Sequence, residues 1–364
     1  VWGGHHVRRR APDGISGWEI LMTIWSVSSV SGLVNAVAGA NDGDTIKVQA
    51  GTYHITSSAG IMLGKSLTIE GEGGRANFHA DVNVTKGIFT VKTEVDSTTF
   101  DNIGFLNANN GDKNGAGIRL HGGDLTVKNS YFYDNQNGIL GTEVAGYRGD
   151  VLISNSQFIG NGYSDGRAHG IYIGADTLTV ENSVFRDTVV GHHIKSISAH
   201  TIVRGNVIGD GSDRASRDID VSTGGDLLVE NNRITKSATA ENNHFILYSD
   251  ARGGTLGDVV VQNNTIINNR AGGVLLDNQT DAVATVSDNT VTGILPSKFI
   301  KGLANQFDNV LDGIPLLPSI IDDLLNQAPQ ADALAAAAAE DTVLQGGLTA
   351  SDVNGDPLSF ALAS

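Results

Sequence analysis

A short phrase recurs along the chain and constrains its fold more than any other feature. It consists of an apolar, usually β-branched residue, any residue, Asn, a small polar residue, any residue, then Phe or Ile. It reads Phe100-Asp-Asn102-Ile-Gly-Phe105, Val127-Lys-Asn129-Ser-Tyr-Phe132, Ile153-Ser-Asn155-Ser-Gln-Phe158 and Val180-Glu-Asn182-Ser-Val-Phe185. Variants follow at Val203 to Ile208, Val229-Glu-Asn231 to Ile234, Val261-Gln-Asn263 to Ile266 and Val286-Ser-Asp288 to Val291. Successive first positions are separated by 27, 26, 27, 23, 26, 32 and 25 residues, the length of one coil of a solenoid. Within each phrase apolar and polar residues alternate with period two, which is the signature of a strand. Three short strands per coil fit this length. Asn tolerates the left-handed backbone of a tight corner, and Asn side chains stacked from coil to coil can hydrogen-bond one another. The predicted fold is all-β, a right-handed parallel β-helix over residues 26–296.

A solenoid exposes an unpaired coil at each end, so both ends need covering. Ser31 to Ala40 places apolar residues at 33, 34, 37 and 38, the spacing of an amphipathic helix, and predicts an N-terminal capping helix. Phe299, Ile300, Leu303, Phe307, Val310 and Leu311 carry a helical rhythm and predict a helical C-terminal cap or linker over 297–327. Residues 1–25 read as a disordered or foreign segment, with a basic cluster (His5, His6, Arg8, Arg9, Arg10) and no apolar signal-peptide core; Met22 is a sensible start. Residues 328–364 read as a linker and a further short unit.

Composition narrows the function. A formal charge of -16 without clustered Lys and Arg argues against nucleic acid, and the absence of Cys excludes disulfides, thiolate nucleophiles and zinc-thiolate sites. No apolar run reaches the roughly 18 residues of a membrane helix. Its Gly-rich dipeptides lack the strand-to-helix setting of a phosphate loop.

Gly43-Asp44-Thr45-Ile46 with Gly51-Thr52-Tyr53, followed by the Asn-turn coils, resembles the pectate-lyase-like right-handed β-helix superfamily. That group includes polysaccharide lyases and alginate C5-epimerases, and also glycosidases, tailspikes and adhesins. The resemblance spans about Ser26 to Val291 and is specific for fold rather than reaction. The Asp-Pro-His sequence expected in alginate epimerases is missing. The segment from Asn326-Gln-Ala-Pro329 through Glu340-Asp341 to Asp352-Val-Asn-Gly-Asp356 resembles the start of a cadherin-like tandem repeat of bacterial secreted proteins. It implies a longer parent protein, extracellular, exported without a cleaved signal. Asp352, Asn354 and Asp356 resemble part of a calcium loop but lack its remaining ligands, and read first as a solvated turn.

Stacked strands turn outward side chains into columns. With Ile171 and Ile173, His192 and Ile194, Arg217 and Ile219, Phe245 and Leu247, and Val274 and Leu276 taken as inward, one outward column reads Arg119, Leu140, Tyr172, His193, Asp218, Ile246, Leu275. Its neighbour reads His121, Thr142, Gly174, Lys195, Asp220, Tyr248, Asp277. His192 and Arg217 sit badly in a core, which predicts a bulge or register shift beside them. The candidate catalytic residues are Lys195, His193, Tyr172 and His169. Arg119, His121, Asp218, Asp220 and Tyr248 are candidate substrate contacts, and Asp218 with Asp220 a candidate Ca²⁺ site.

Removal of the C5 proton of a uronate needs a base, neutralisation of the substrate carboxylate and, for a lyase, a proton for the leaving oxygen. Lys195 serves as base if its pKa is lowered, with His193 as competitor and Tyr172 as proton donor; an ion pair with Asp220 would raise that pKa instead. The expected partner is an acidic polysaccharide, acted on by a monomer through β-elimination or C5-epimerisation, with no nucleic acid or membrane involved. The alternatives are a non-catalytic polysaccharide-binding adhesin or matrix module, and a glycoside hydrolase using Asp218 and Asp220. Outward His, Lys and Asp on such a fold also occur as plain solvated ladders.

Overall fold

A computed structural model describes residues 22–141, 149–209 and 214–312, together with the short strands His5–Val7, Ile314–Leu316, Gln330–Ala331 and Ala350–Ser351. One coil shows the plan. Thr177–Glu181, Val184–Arg186 and Ile194–Ser196 are three strands that pair in parallel with His200–Arg204, Val207–Ile208 and Ile219–Val221 of the next coil. Two of the three faces run together into a 23-stranded sheet, and the third forms a separate ten-stranded sheet. Alternation explains the strands: Thr177–Glu181 buries Leu178 and Val180 and turns the residues between them outward.

The repeated Asn makes the corner between the two joined faces. Asn102, Asn129, Asn155, Asn182, Asn231 and Asn263 all have φ between 48° and 58°, the left-handed region that Asn tolerates better than other non-glycine residues. The buried ladder belongs to the next residue, a division of labour that the sequence reading had merged into one Asn. Ser130, Ser156 and Ser183 lead into Asn206, Asn232, Asn264, Asn289 and Asn309, each side chain accepting from the main-chain N–H of the coil before. The Asn amides also bond each other at 2.9–3.0 Å and donate to interior carbonyls such as Val203 and Val229. Beside this ladder Phe105, Phe132, Phe158 and Phe185 stack face to face at 4.4–4.6 Å.

Towards the N-terminus, the helix Val30–Gly39 is capped by Ser29, whose hydroxyl accepts from Gly32 N–H at 3.0 Å. It buries Leu33 and Ala36 and packs against the strands Met22–Val27 and Thr45–Ile55. The phrase Gly43-Asp44-Thr45 has a physical reason here: buried Asp44 accepts from Thr23 N–H, Trp25 Nε1–H and Asn41 N–H. Because Met22–Val27 already pairs with Thr45–Val48, the solenoid begins before residue 26. At the other end the expected helix is corrected. Ile300–Lys301, Ala304–Phe307 and Asn309–Leu311 are strands of another coil, with Asp308 at the left-handed corner and Asn309 ending the ladder. Its apolar residues imitate a helical spacing because a corner interrupts their alternation. Residues 317–329 and nearly all of the cadherin-like segment lie outside the described residues, apart from an antiparallel pair between Gln330–Ala331 and Ala350–Ser351.

In chain order the ten-stranded sheet comprises Ile61–Leu63, Gly87–Val91, Ala116–Leu120, Asn137–Gly141, Ile171–Ile173, Ile194–Ser196, Ile219–Val221, His244–Tyr248, Val274–Asn278 and Ile300–Lys301. Its register aligns Arg119, Leu140, Tyr172, Lys195, Asp220, Leu247, Asp277 and Lys301 in one outward row.

The ladder makes a sharp contrast testable. Asn264→Ala strips Asn232 and Val229 of buried partners and is expected to destabilise by about 2–4 kcal/mol, since each stranded polar group costs roughly 1–3 kcal/mol. Asn263→Gly, which keeps the left-handed corner, is expected to change stability by less than about 0.5 kcal/mol. Urea unfolding followed by far-UV circular dichroism compares the two, and equal effects would remove the ladder from its structural role.

Candidate active site

Strict alternation fails at the start of four consecutive strands of the ten-stranded sheet. Two consecutive residues turn inward: His193 and Ile194, Asp218 and Ile219, Phe245 and Ile246, Leu275 and Leu276 are all buried. The residue before each pair is carried to the outer side, and there lie His192, Arg217 and His244, with His169 in the same position one coil earlier. The ladder beside His192 and Arg217 stays in register from coil to coil, so it is the phase of each strand, rather than the expected bulge or register shift, that reassigns several residues.

His193, read from sequence as outward, is fully buried, within 2.8 Å of Thr188 Oγ1 and edge-on to Phe185. Asp218 is buried too, paired with the interior Lys236 at 3.0 Å. Tyr248 points inward; its hydroxyl donates to Gly225 O at 2.8 Å and accepts from Gly257 N–H at 3.2 Å. Leu247 takes the outward place expected for Ile246. Asp218 and Asp220 are both buried and face different cations, Lys236 at 3.0 Å and Arg217 at 2.9 Å. Thr142 lies outside the described residues. Arg119 keeps its outward register two coils from Tyr172, with half-buried His121 nearby in sequence.

The structure brings together His169, Tyr172, His192, Lys195, Arg217, Asp220 and Arg252. Tyr172, Lys195 and Asp220 are register partners on three adjacent coils, each about 4.8 Å from the next. Lys195 Nζ lies 5.3 Å from the centre of the Tyr172 ring and 3.9 Å from Asp220 Oδ1. Asp220 is held harder elsewhere: Arg217 Nη1 approaches its Oδ2 to 2.9 Å, His192 Nε2 to 3.4 Å, and Ser222 Oγ donates to its Oδ1. Arg252 arrives from the excursion between His244–Tyr248 and Leu256–Gln262, its guanidinium 5.7 Å from the Tyr172 ring.

The two outer histidines have defined tautomers. His192 N–H donates to His169 Nδ1 at 3.1 Å, and Arg217 N–H donates to His192 Nδ1 at 3.2 Å, so each neutral ring carries its proton on Nε2. Their rings stack at 4.9 Å, and His169 meets Tyr172 edge-on at 5.5 Å. Burial, reinforced by neighbouring positive charge, pushes both histidines well below the usual imidazole range, and they stay neutral at pH 7. Burial also lowers Lys195; Arg252 and Arg217 act in the same direction and Asp220 opposes them. The ion pair that would have spoiled Lys195 as a base is therefore outweighed, by burial first and by Arg252 and Arg217 after it.

Two coils further along the same face, Asp277 accepts from Gln279 Nε2 at 2.9 Å and lies 3.0 Å from His244 Nδ1 and 3.2 Å from Lys301 Nζ. A cavity of about 450 Å³ lined by His244, Lys298 and Lys301 opens beside this group. A second cleft, of about 480 Å³, contains Arg252 with Thr223 and Asp226.

The family described as the right-handed β-helix region matches residues 144–304. The chain is a right-handed parallel β-helix. Among solved structures it is similar to an alginate lyase from Paenibacillus sp. str. FPU-7, at 20% identity and a TM-score of 0.58 over 78% of this chain and 99% of that one. It also matches the PL6 family alginate lyase AlyGC at 20% identity and a TM-score of 0.43, over 74% of this chain and 39% of that one. Geobacillus virus E2 ORF18 aligns at 12% identity and a TM-score of 0.46, over 78% of this chain and 57% of that one. No curated protein matches the sequence.

Sequence reasoning missed His192, Arg217 and Arg252. For the first two the signal was present, since a His and an Arg assigned to a core mark a misread register. For Arg252 there was only the 32-residue spacing of its coil.

The electrostatics of Lys195 predict opposite shifts from two substitutions. Asp220→Asn removes the influence that raises the Lys195 pKa and is expected to lower it further; Arg252→Gln removes one that lowers it and is expected to raise it. The ε-carbon shift of ¹³C-labelled lysine followed against pH reports both. Movement in the same direction would refute the arrangement.

Proposed function

We propose that this chain cleaves a uronate-containing polysaccharide by β-elimination, with Lys195 as the base. The observation that carries the reading is a lysine with a lowered pKa, held between Tyr172 and a cation-balanced carboxylate on the outer face. The similarity to an alginate lyase over nearly that enzyme's whole length supports the same class of reaction. So does the distribution of charge: a chain of net charge -16 gathers Arg119, Lys195, Arg217, Arg252, Lys298 and Lys301 along one side, where a polyanion would bind.

Neutral Lys195 takes the C5 proton, the electron pair moves into the adjacent carboxylate, and the C4–O4 bond breaks to leave a C4=C5 double bond. Tyr172 gives its phenolic proton to the departing oxygen and is reprotonated by solvent. Arg217 and Arg252 offset the charge that develops on the carboxylate, and His169, with its fixed Nε2 proton, supplies a neutral donor beside Tyr172. Because the base must be neutral, turnover rises with pH through the Lys195 pKa, and burial brings that rise closer to neutrality. C5-epimerisation shares the first step and then delivers a proton to the opposite face of the same carbon. No step is routed through calcium; Asp218 and Asp220 each already face a cation.

Alginate, pectate and glucuronan incubated with the purified chain distinguish the readings. Ultraviolet absorbance of an unsaturated product marks the lyase. Solvent-proton exchange at C5 without it marks the epimerase, new reducing ends without unsaturation a hydrolase, and retention without product an adhesin or matrix module. Lys195→Ala is expected to lower kcat by about 10²–10⁴-fold with unchanged circular dichroism, the range for loss of a general base. Undiminished turnover would dismiss Lys195.

A further inference from the structure

Far from Lys195, on the 23-stranded sheet, two histidines and an aspartate converge across the first two coils. His54 in Thr45–Ile55 and His79 in Leu67–Ala80 are register partners, so their side chains leave neighbouring strands in the same direction. Asp81 lies two residues beyond His79. His54 Nδ1 is 3.0 Å from both Asp81 carboxylate oxygens, and His79 Nδ1 is 2.7 Å from Oδ1. The imidazole rings are 5.8 Å apart and tilted by 52°, splayed rather than stacked, so that both Nδ1 atoms face the carboxylate. Among the described residues this is the only group of three or more His, Cys, Asp or Glu whose donor atoms lie close enough to share one ion, all within 4.8 Å of one another.

We propose that His54, His79 and Asp81 form a surface site for a divalent first-row transition ion of the zinc class. Two imidazole nitrogens and one carboxylate oxygen suit a borderline ion and are a poor match for Ca²⁺, which takes six to eight oxygens. Tetrahedral zinc holds nitrogen and oxygen donors about 2.0–2.2 Å from the metal, and so about 3.3 Å from one another. The present separations of 2.7 and 3.0 Å are hydrogen-bond lengths, and an outward movement of a few tenths of an ångström opens the space.

The backbone that carries the donors is already fixed. Asp81 N–H donates to Ile55 O at 3.0 Å, and the Asn107 amide donates to Ala80 O at 2.8 Å. Little ordering remains to be supplied on binding, while the exposed side, with His54 60% accessible, leaves room for water as the fourth ligand. Bound ion would tie one coil to the next near the N-terminal end of the stack, where neighbours are fewest.

Calorimetric titration of the full chain with ZnCl₂, set beside His54→Ala/His79→Ala, tests the site. Both side chains are solvent-accessible, so the double variant is expected to fold, as circular dichroism will verify. The wild type should take up one more zinc per chain than the variant, and zinc should raise only the wild-type thermal midpoint, by about 2–4 °C or more. Asp81→Asn should weaken that uptake at least tenfold, and CaCl₂ should not compete for it. Identical zinc stoichiometry and thermal shift in wild type and double variant would overturn the proposal, leaving the cluster as hydrogen-bonded side chains. Subtraction of the variant also removes any zinc held by other histidines, and neither result depends on turnover at Lys195.

Discussion

Everything in this molecule hangs on backbone hydrogen bonds made from coil to coil in parallel register, interrupted only by local shifts such as those at Gln49/Gly51 and Gly225/Leu227. A parallel strand in isolation has no partner for its amides, so each coil is stable only as a template for the next. What keeps the register from slipping is the buried amide chain from Asn206 to Asn309, because a one-residue shift would strand a row of interior donors and carbonyls at once. The stacked phenylalanines fill volume, whereas the amides fix position. Apolar packing alone would tolerate sliding.

The same register builds the outer site. No single strand contributes more than a few functional groups, and Tyr172, Lys195 and Asp220 become neighbours only because three consecutive coils agree in phase. Rigidity matters here in a specific way. A lysine kept partly out of water loses proton affinity, and that loss persists only if nearby carboxylates cannot swing towards it. Arg217 and Ser222 anchor Asp220 and so restrain the group best placed to undo the effect.

The sequence made the solenoid legible because its period is carried by local chemistry: left-handed corners select Asn, and interior strands select β-branched residues. It made Lys195, Tyr172, His169 and Asp220 legible as residues turned outward on one face. The exact columns were not legible, because the coils were aligned two residues out, which set Tyr172 beside His193 rather than Lys195, and because the strand phase was misread. Period-two reasoning assumes that a strand begins in phase, and these strands begin with two inward residues, so His193 and Asp218 went inside while His192 and Arg217 came out. The last coil was misread through a related weakness, since six apolar residues spread over a corner, Phe299 to Leu311, imitate a helix face. Discomfort with a charged residue in a core proved a better guide than the alternation itself.

Arg252 shows what such an architecture permits. Coils of 23 to 27 residues close tightly, but the one running from Val229 to Val261 takes 32, and the excess emerges as the excursion that carries this arginine across Tyr172. The ladder that follows takes up the insertion in one local irregularity, where Gly225 pairs with Leu256 and Leu227 with Val259, and the register beyond it is kept. A scaffold of this kind can thus acquire or discard a charged finger over its working face by insertion and deletion alone, leaving selection free to alter chemistry without renegotiating the fold.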